Sequence, residues 1–290
     1  MDPTTAMYVA QGIHGLAYGM LLFLVASGLT MVFGMMGILN LAHASFFMLS
    51  SYFSYQVLRA TGNFWLALLV APVAAALVGV LCERLLLRKV HAFGHIGELI
   101  LTVGISLVIM EGVKVFWGTE SLSIRVPPIL EGRLALGGLD YPIYRLFVIG
   151  LALVVLGILA VLLYRTRLGM VVRAAVSDAD MVNALGVNVP VLFMFVFGAG
   201  TWLAGVAGVV IAPILTVFPG LADQMGMDAF VVVVTGGLGS LWGAFLISLI
   251  LGELNSYGVQ FVSQLAPVLM FVFMAIVLTF KPMGLFGERE

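Results

Sequence analysis

Charged side chains are the scarcest class in this sequence. Asp, Glu, Lys and Arg make up 9% of its 290 residues, against about 25% in an ordinary soluble domain. So few charges cannot build a water-facing surface, which excludes a soluble globular protein. The net charge of −1 supplies no polycationic face for nucleic acid. The single cysteine, Cys82, excludes an intrachain disulfide, and no Cys/His spacing resembles a zinc site. No G-x-x-x-x-G-K-[ST] phosphate loop occurs, so the chain lacks the usual means of gripping ATP. His14, His43, His91 and His95 are scattered without partners at catalytic spacing. Only His91 and His95, four apart, could begin to clamp a metal, and no third ligand stands near them. No catalytic or metal site is expected. The opening stretch, Met1 to Met7, also lacks the basic segment of a cleaved leader, so the apolar run behind it should be retained as a first span.

What the sequence has in abundance is apolar length. Hydrophobic residues make up 62% of the chain and mean hydropathy is +1.19. Crossing about 30 Å of hydrocarbon takes roughly 20 apolar helical residues, because backbone amides left unpaired in lipid are costly. Candidate spans run from Met7 to Phe33, Ile38 to Leu58, Phe64 to Cys82, Ile96 to Trp117, Ile143 to Tyr164, Val191 to Ala212, Ala229 to Tyr257 and Phe261 to Phe280. The connectors are too short to hold a soluble domain. The fold class is therefore all-α, a polytopic transmembrane bundle forming one domain over residues 1–290.

Basic residues orient the bundle, since cytoplasmic loops retain Lys and Arg. Arg84, Arg88 and Lys89 mark one inner connector, Arg165, Arg167 and Arg173 a second, and Lys281 and Arg289 an inner C-terminus. Counting back places the N-terminus outside and the Gly118–Pro142 segment with it. One unbroken span from Ala229 to Tyr257 would reverse the C-terminus. That stretch contains Gly236-Gly237-Leu238-Gly239-Ser240, so a broken or re-entrant pair is expected, with Phe230 to Thr235 and Leu241 to Tyr257 as its limbs and nine membrane segments in all.

Polar groups inside such a bundle are candidate pathway residues. Asn40 and His43 are three apart and should share one face of the second segment, either bonding between helices or lining a polar passage. Thr235, Gly236, Gly237, Gly239 and Ser240 would leave backbone groups for a cargo or form a plain kink. Glycines at helical spacing (Gly12, Gly15 and Gly19; Gly198, Gly205 and Gly208) point to close helix crossings. Glu98, Glu111 and Glu253 lie near or within spans, and Glu111 has Lys114 three residues on.

One connector is too polar to span. Residues 165–190 have helical character from Met170 to Leu185, and Gly186 reads as its stop. The segment could lie on the headgroups or fit a groove of a partner. Its R-T-R-x-G-x-x-x-R-A run and the following A-x-x-x-N-A-L-G-V-N resemble the coupling loop of permease subunits in branched-chain amino-acid ABC importers, the LivH type. Gly37-Ile38-Leu39-Asn40-Leu41-Ala42-His43-Ala44, Gly236 to Ala244 (GGLGSLWGA) and Lys281 to Gly287 (KPMGLFG) agree with that family in the same order. Ala44 departs from it, relatives commonly having glycine there.

The resemblance implies a complex in the inner membrane, made of a second homologous permease, two cytoplasmic ATPase subunits and a periplasmic substrate-binding protein. ATP and Mg would be held by the ATPases, and this chain would carry no cofactor, bind no nucleic acid and be no enzyme. Arg165, Arg167, Gly169, Arg173, Ala174, Asp178, Ala184 and Gly186 would form the ATPase-coupling loop. The alternative is an ion-coupled secondary transporter, which would use the spans' carboxylates as relays.

Overall fold

The first helix sets the architecture. In the computed structural model, which describes residues 3–136 and 139–287, α1 (Pro3–Met36) runs 34 residues, or about 50 Å at 1.5 Å per residue. Buried residues make up 83% of its most apolar stretch, against 17% for α5 (Gly94–Trp117). So α1 is the central post, and α5 faces outward with α3 (Phe64–Cys82) and α6 (Ile143–Arg165). The second central helix is α9 (Val189–Ile211). Around these two stand α2 (His43–Thr61), α10 (Leu221–Gly236), α11 (Leu241–Val262) and α12 (Ala266–Phe280). Past α3 the chain widens into a π-helical turn, Glu83–Leu87, and passes through a short α4 (Arg88–Val90) to a 3-10 turn, His91–Phe93. Between α5 and α6 lies a two-stranded antiparallel hairpin, β1 (Arg133–Leu136) with β2 (Leu139–Pro142). Two short helices, α7 (Arg167–Ser177) and α8 (Ala179–Ala184), join α6 to α9.

Small residues permit the tight crossings. A Cβ on Gly19 would stand 2.7 Å from the Ser248 carbonyl, and one on Gly252 would stand 2.5 Å from the Cα of Gly19. Backbone thus meets backbone along α1 and α11, the close approach that drives association where burial from water cannot. A Cβ on Gly205 would lie 2.7 Å from the Cα of Pro72, which seats α9 on α3. Interhelical bonds reinforce these crossings, with Ser50 and Ser51 of α2 donating to the carbonyls of Gly205 and Gly208, each at 2.9 Å.

Among the described residues six helices are long and apolar enough to cross a membrane alone, and the shorter or less apolar α2, α10 and α12 pack among them. The fold corrects the sequence reading at three places. Residues 37–42 are not helical, so the second segment begins at His43 rather than Ile38, and Asn40 shares no helical face with His43. The short limb before the glycine break starts at Leu221, not near Phe230, because α10 includes the polar Asp223, Gln224 and Asp228 that depress hydropathy. The connector between α6 and α9 is two helices, not one, because Asp178 leaves helical geometry (φ −153°, ψ 91°) to cap α8. Arg289 lies outside the described residues.

Candidate functional site

The chain breaks between α1 and α2 in a way that leaves polar groups buried and unpaired. Gly37 takes a left-handed φ of 67°, which only glycine adopts at no steric cost, and this stops α1. Asn40 then turns the chain into α2, its Oδ1 accepting the Ala42 amide at 3.0 Å. The Asn40 Nδ2 donor is buried without a partner among the described residues. His43 opens α2 fully buried, its Nε2 3.1 Å from the Val25 carbonyl of α1, and its Nδ1 is likewise unpaired. A buried polar atom with no partner costs about 1–3 kcal/mol. With Nε2–H donating to Val25, the His43 Nδ1 is an acceptor, so one unpaired donor and one unpaired acceptor at one break ask for a ligand or water.

Both residues line a cavity of about 340 Å³. Ser45 and Ser106, hydrogen-bonded at 2.7 Å, and Asp223 add polar wall. Leu29, Met227 and Phe230 add apolar wall. A few polar groups converging on a mostly apolar hollow is the pattern of a small-molecule site. Asp223, Ser45 and Ser106 are contributions the sequence reading missed, since nothing in their spacing links three separate helices. Ala44 is accommodated by a small residue opposite, as a Cβ on Gly226 would stand 2.9 Å from its own Cβ.

The second break is built differently. Gly237 and Gly239 take φ of 101° and 86°, and Ser240 caps α11 by accepting the Gly243 amide at 3.1 Å. The carbonyls freed at Thr235 and Gly236 accept the amides of Leu285 and Phe286 at 2.9 and 3.1 Å. A Cβ on Gly239 would meet Gly34 of α1 at 2.8 Å, and one on Gly284 would meet the Cα of Gly237 at 2.6 Å. Two sequence motifs far apart in the chain, around Gly237 and around Gly284, therefore close on each other. Of the residues expected here, Thr235 keeps an unpaired hydroxyl, and the structure does not bring Thr235 to Ser240 into the cavity of Asn40 and His43.

The third element is the connector between α6 and α9. Each turn of it is capped: Thr166 Oγ1 accepts the Gly169 amide at 3.3 Å, Asp178 Oδ1 the Met181 amide at 2.9 Å, and Asn188 Oδ1 the Val191 amide at 3.2 Å. Such caps stabilise a helix start by about 1 kcal/mol each. Gly169 has no room for a side chain, since a Cβ would stand 2.6 Å from the Leu162 carbonyl. Gly186 ends the segment at φ 89°, as its sequence position suggests. Ala175, Val182 and Val189 form a small core of their own beneath it. Arg173 donates to the Leu163 carbonyl, tying α7 back to the end of α6. Arg165, Arg167, Ala174, Asp178 and Ala184 are exposed, as are the apolar Met170, Met181 and Leu185.

Two charged clusters complete the picture. His91 and His95, which the sequence presents as partnerless, converge on the buried Glu98: His91 bonds one carboxylate oxygen and His95 Nδ1 lies 3.4 Å from the other. Among the described residues no group of three or more His, Cys, Asp or Glu is placed so that it could hold a metal ion. Glu111 and Lys114 pair at 2.6 Å, as their spacing suggests.

Comparison with known proteins adds a family to this geometry. Residues 13–280 match the family model described as branched-chain amino acid transport system / permease component. The chain is 29% identical to the high-affinity branched-chain amino acid transport system permease protein BraD of Pseudomonas aeruginosa, over 99% of this chain and 98% of that one. It is 27% identical to the permease protein LivH of Salmonella typhimurium, over 98% and 96%. It is 26% identical to the probable LivH permease of the archaeon Methanocaldococcus jannaschii, over 81% and 76%. No solved structure matches the chain.

Proposed function

We propose, from the premise that this chain belongs to the permease-component family of branched-chain amino acid transport systems, that it is one membrane subunit of an ATP-driven importer and passes apolar amino acids along the break between α1 and α2. The observation that carries the reading is the cavity at Asn40 and His43, where unpaired buried polar atoms meet an apolar wall of Leu29, Met227 and Phe230. The Asn40 Nδ2 suits a cargo carboxylate, Asp223 its ammonium, and the apolar wall its side chain. Binding at such a site is weak enough to release because each contact is single.

Energy enters from outside the chain. The exposed face of α7 and α8 docks on a cytoplasmic ATPase subunit, which holds ATP and Mg. Its closure moves α6 and α9 through the Arg173–Leu163 tie and the small core under α8. A second homologous permease closes the outer side of the cavity, and a second ATPase serves it. The N-terminus then faces the periplasm and the C-terminus the cytoplasm of an inner membrane. A periplasmic binding protein lands on the segment between α5 and α6, where Glu120, Arg125, Glu131, Arg133 and Asp140 are exposed and Arg125 and Glu131 line a hollow of about 900 Å³. Contacts made by these charges would weaken with added salt.

The test is reconstitution of the chain with its neighbouring permease, ATPases and binding protein in liposomes, with labelled leucine, isoleucine and valine offered from the binding-protein side. Uptake that requires both ATP and the binding protein is expected. Uptake by the chain alone under a proton or sodium gradient would instead identify an ion-coupled carrier.

A further inference from the structure

A second cavity, of about 360 Å³, lies where the connector after α3 meets the coupling helices. Glu83, Arg88 and His91 line it from one side, Asp180 and Asn183 of α8 from the other, and Phe193 of α9 gives it apolar wall. Glu83 is 4% exposed, and its Oε2 has no hydrogen-bond partner among the described residues. That carboxylate sits in a π-helical turn, with the Arg88 amide bonded back to the Glu83 carbonyl. Single π-turns inside α-helices are costly and recur at functional sites. Ile38 lines this cavity and the next residue, Leu39, lines the one at Asn40, so a single break segment separates the two.

We infer that this inner cavity binds a free apolar amino acid as a zwitterion, with the ammonium between Glu83 and Asp180, the carboxylate at Arg88 and the side chain against Phe193. Two carboxylates and one guanidinium around an apolar wall match a small molecule bearing one cation, one anion and a hydrocarbon tail. A bare metal would leave the apolar wall and Arg88 unused, and an anion would face two carboxylates. Because the walls belong to the connector after α3 and to α8, the bound amino acid bridges the two parts that must separate when α8 moves. The site thereby senses cargo that has already arrived. This inference rests on the importer reading and refines it by adding an exit-side station.

The experiment labels a cysteine placed at Asn183, which is exposed and lines the cavity, in the full complex in membranes with the inner face accessible and Cys82→Ser as background. L-leucine at millimolar concentration should slow maleimide labelling of Asn183→Cys about fivefold, the factor expected at about four times Kd. 4-Methylpentanoate, which lacks the ammonium, and 3-methylbutylamine, which lacks the carboxylate, should not protect. Glu83→Gln should abolish protection, and Asp180→Asn, on an exposed surface that folding does not need, should weaken it. Labelling unaffected by L-leucine, or protection equal in all variants, overturns the site. So does protection that is already complete without L-leucine when the ATPase subunits are bound and is lost when they are removed, since a partner side chain is then the occupant. The assay needs no transport, so a failure of ATP-driven uptake in liposomes counts against the importer reading separately.

Discussion

The two helix breaks of this molecule, at 37–42 and at 237–240, use the same device and reach opposite ends. Each begins with a glycine in the left-handed region, and each frees backbone and side-chain groups in the interior. At the second break the freed carbonyls of Thr235 and Gly236 are bonded by Leu285 and Phe286. At the first, Asn40 Nδ2 and His43 Nδ1 are left over and a cavity stands beside them. A broken helix in a membrane is thus not by itself a cargo site. The second break also keeps one side-chain atom without a partner, the Thr235 hydroxyl, so the deciding feature is whether the unpaired groups border a cavity, as Asn40 and His43 do.

The largest effect that would sharpen this contrast is expected at the closed break. Gly237→Val forces a β-branched residue into left-handed geometry and drives its Cβ to 2.9 Å from the Phe286 carbonyl carbon. Strain of roughly 1–2 kcal/mol from the backbone and ~1–3 from overpacking should cost about 2–5 kcal/mol. Little folded protein should survive extraction, as read by size-exclusion profile and thermal unfolding. At the open break the effect should fall on transport instead. Asn40→Ser keeps a side-chain oxygen for the Ala42 amide and removes the Nδ2 donor, so unfolding should shift by no more than ~1 kcal/mol. Uptake should drop about 10- to 100-fold, the worth of one hydrogen bond to a charged group at ~1.5–3 kcal/mol. An equal loss of stability in both variants would erase the distinction between the breaks.

The smallest effect is expected away from both. Arg173→Ala removes the tie between α7 and the Leu163 carbonyl without touching either break. ATP hydrolysis should continue while uptake per ATP falls about fivefold, equivalent to about 1 kcal/mol of lost coupling. Unchanged coupling would show that the connector does not move α6 through this residue.

Much of this was legible in the sequence because the bilayer imposes length and apolarity on every span. The Gly236–Ser240 break, the stop at Gly186 and the glycine crossings of α1 and α9 were readable, since each depends on residues close in the chain. The break at Gly37 was hidden because Ile38, Leu39 and Leu41 keep the stretch apolar, so hydropathy continues where helix does not. The split at Asp178 was signalled by an N-cap residue inside a helical pattern, a local preference that outweighed periodicity there. His95 and Glu98 stand three apart on α5, a spacing present in the sequence, whereas the closure of the Gly237 break by Gly284 and the placing of Asn40 and Asp223 on one cavity are tertiary facts. No spacing along one helix encodes them.

The most direct measurement compares cysteine reactivity at the two breaks in the Cys82→Ser background. Asn40→Cys and Thr235→Cys are each placed in the reconstituted complex and exposed to a small water-soluble thiol reagent during ATP turnover, with and without cargo. The account predicts that Asn40→Cys reacts and is protected by cargo, whereas Thr235→Cys stays silent. Reaction and cargo protection at Thr235→Cys with none at Asn40→Cys would contradict it.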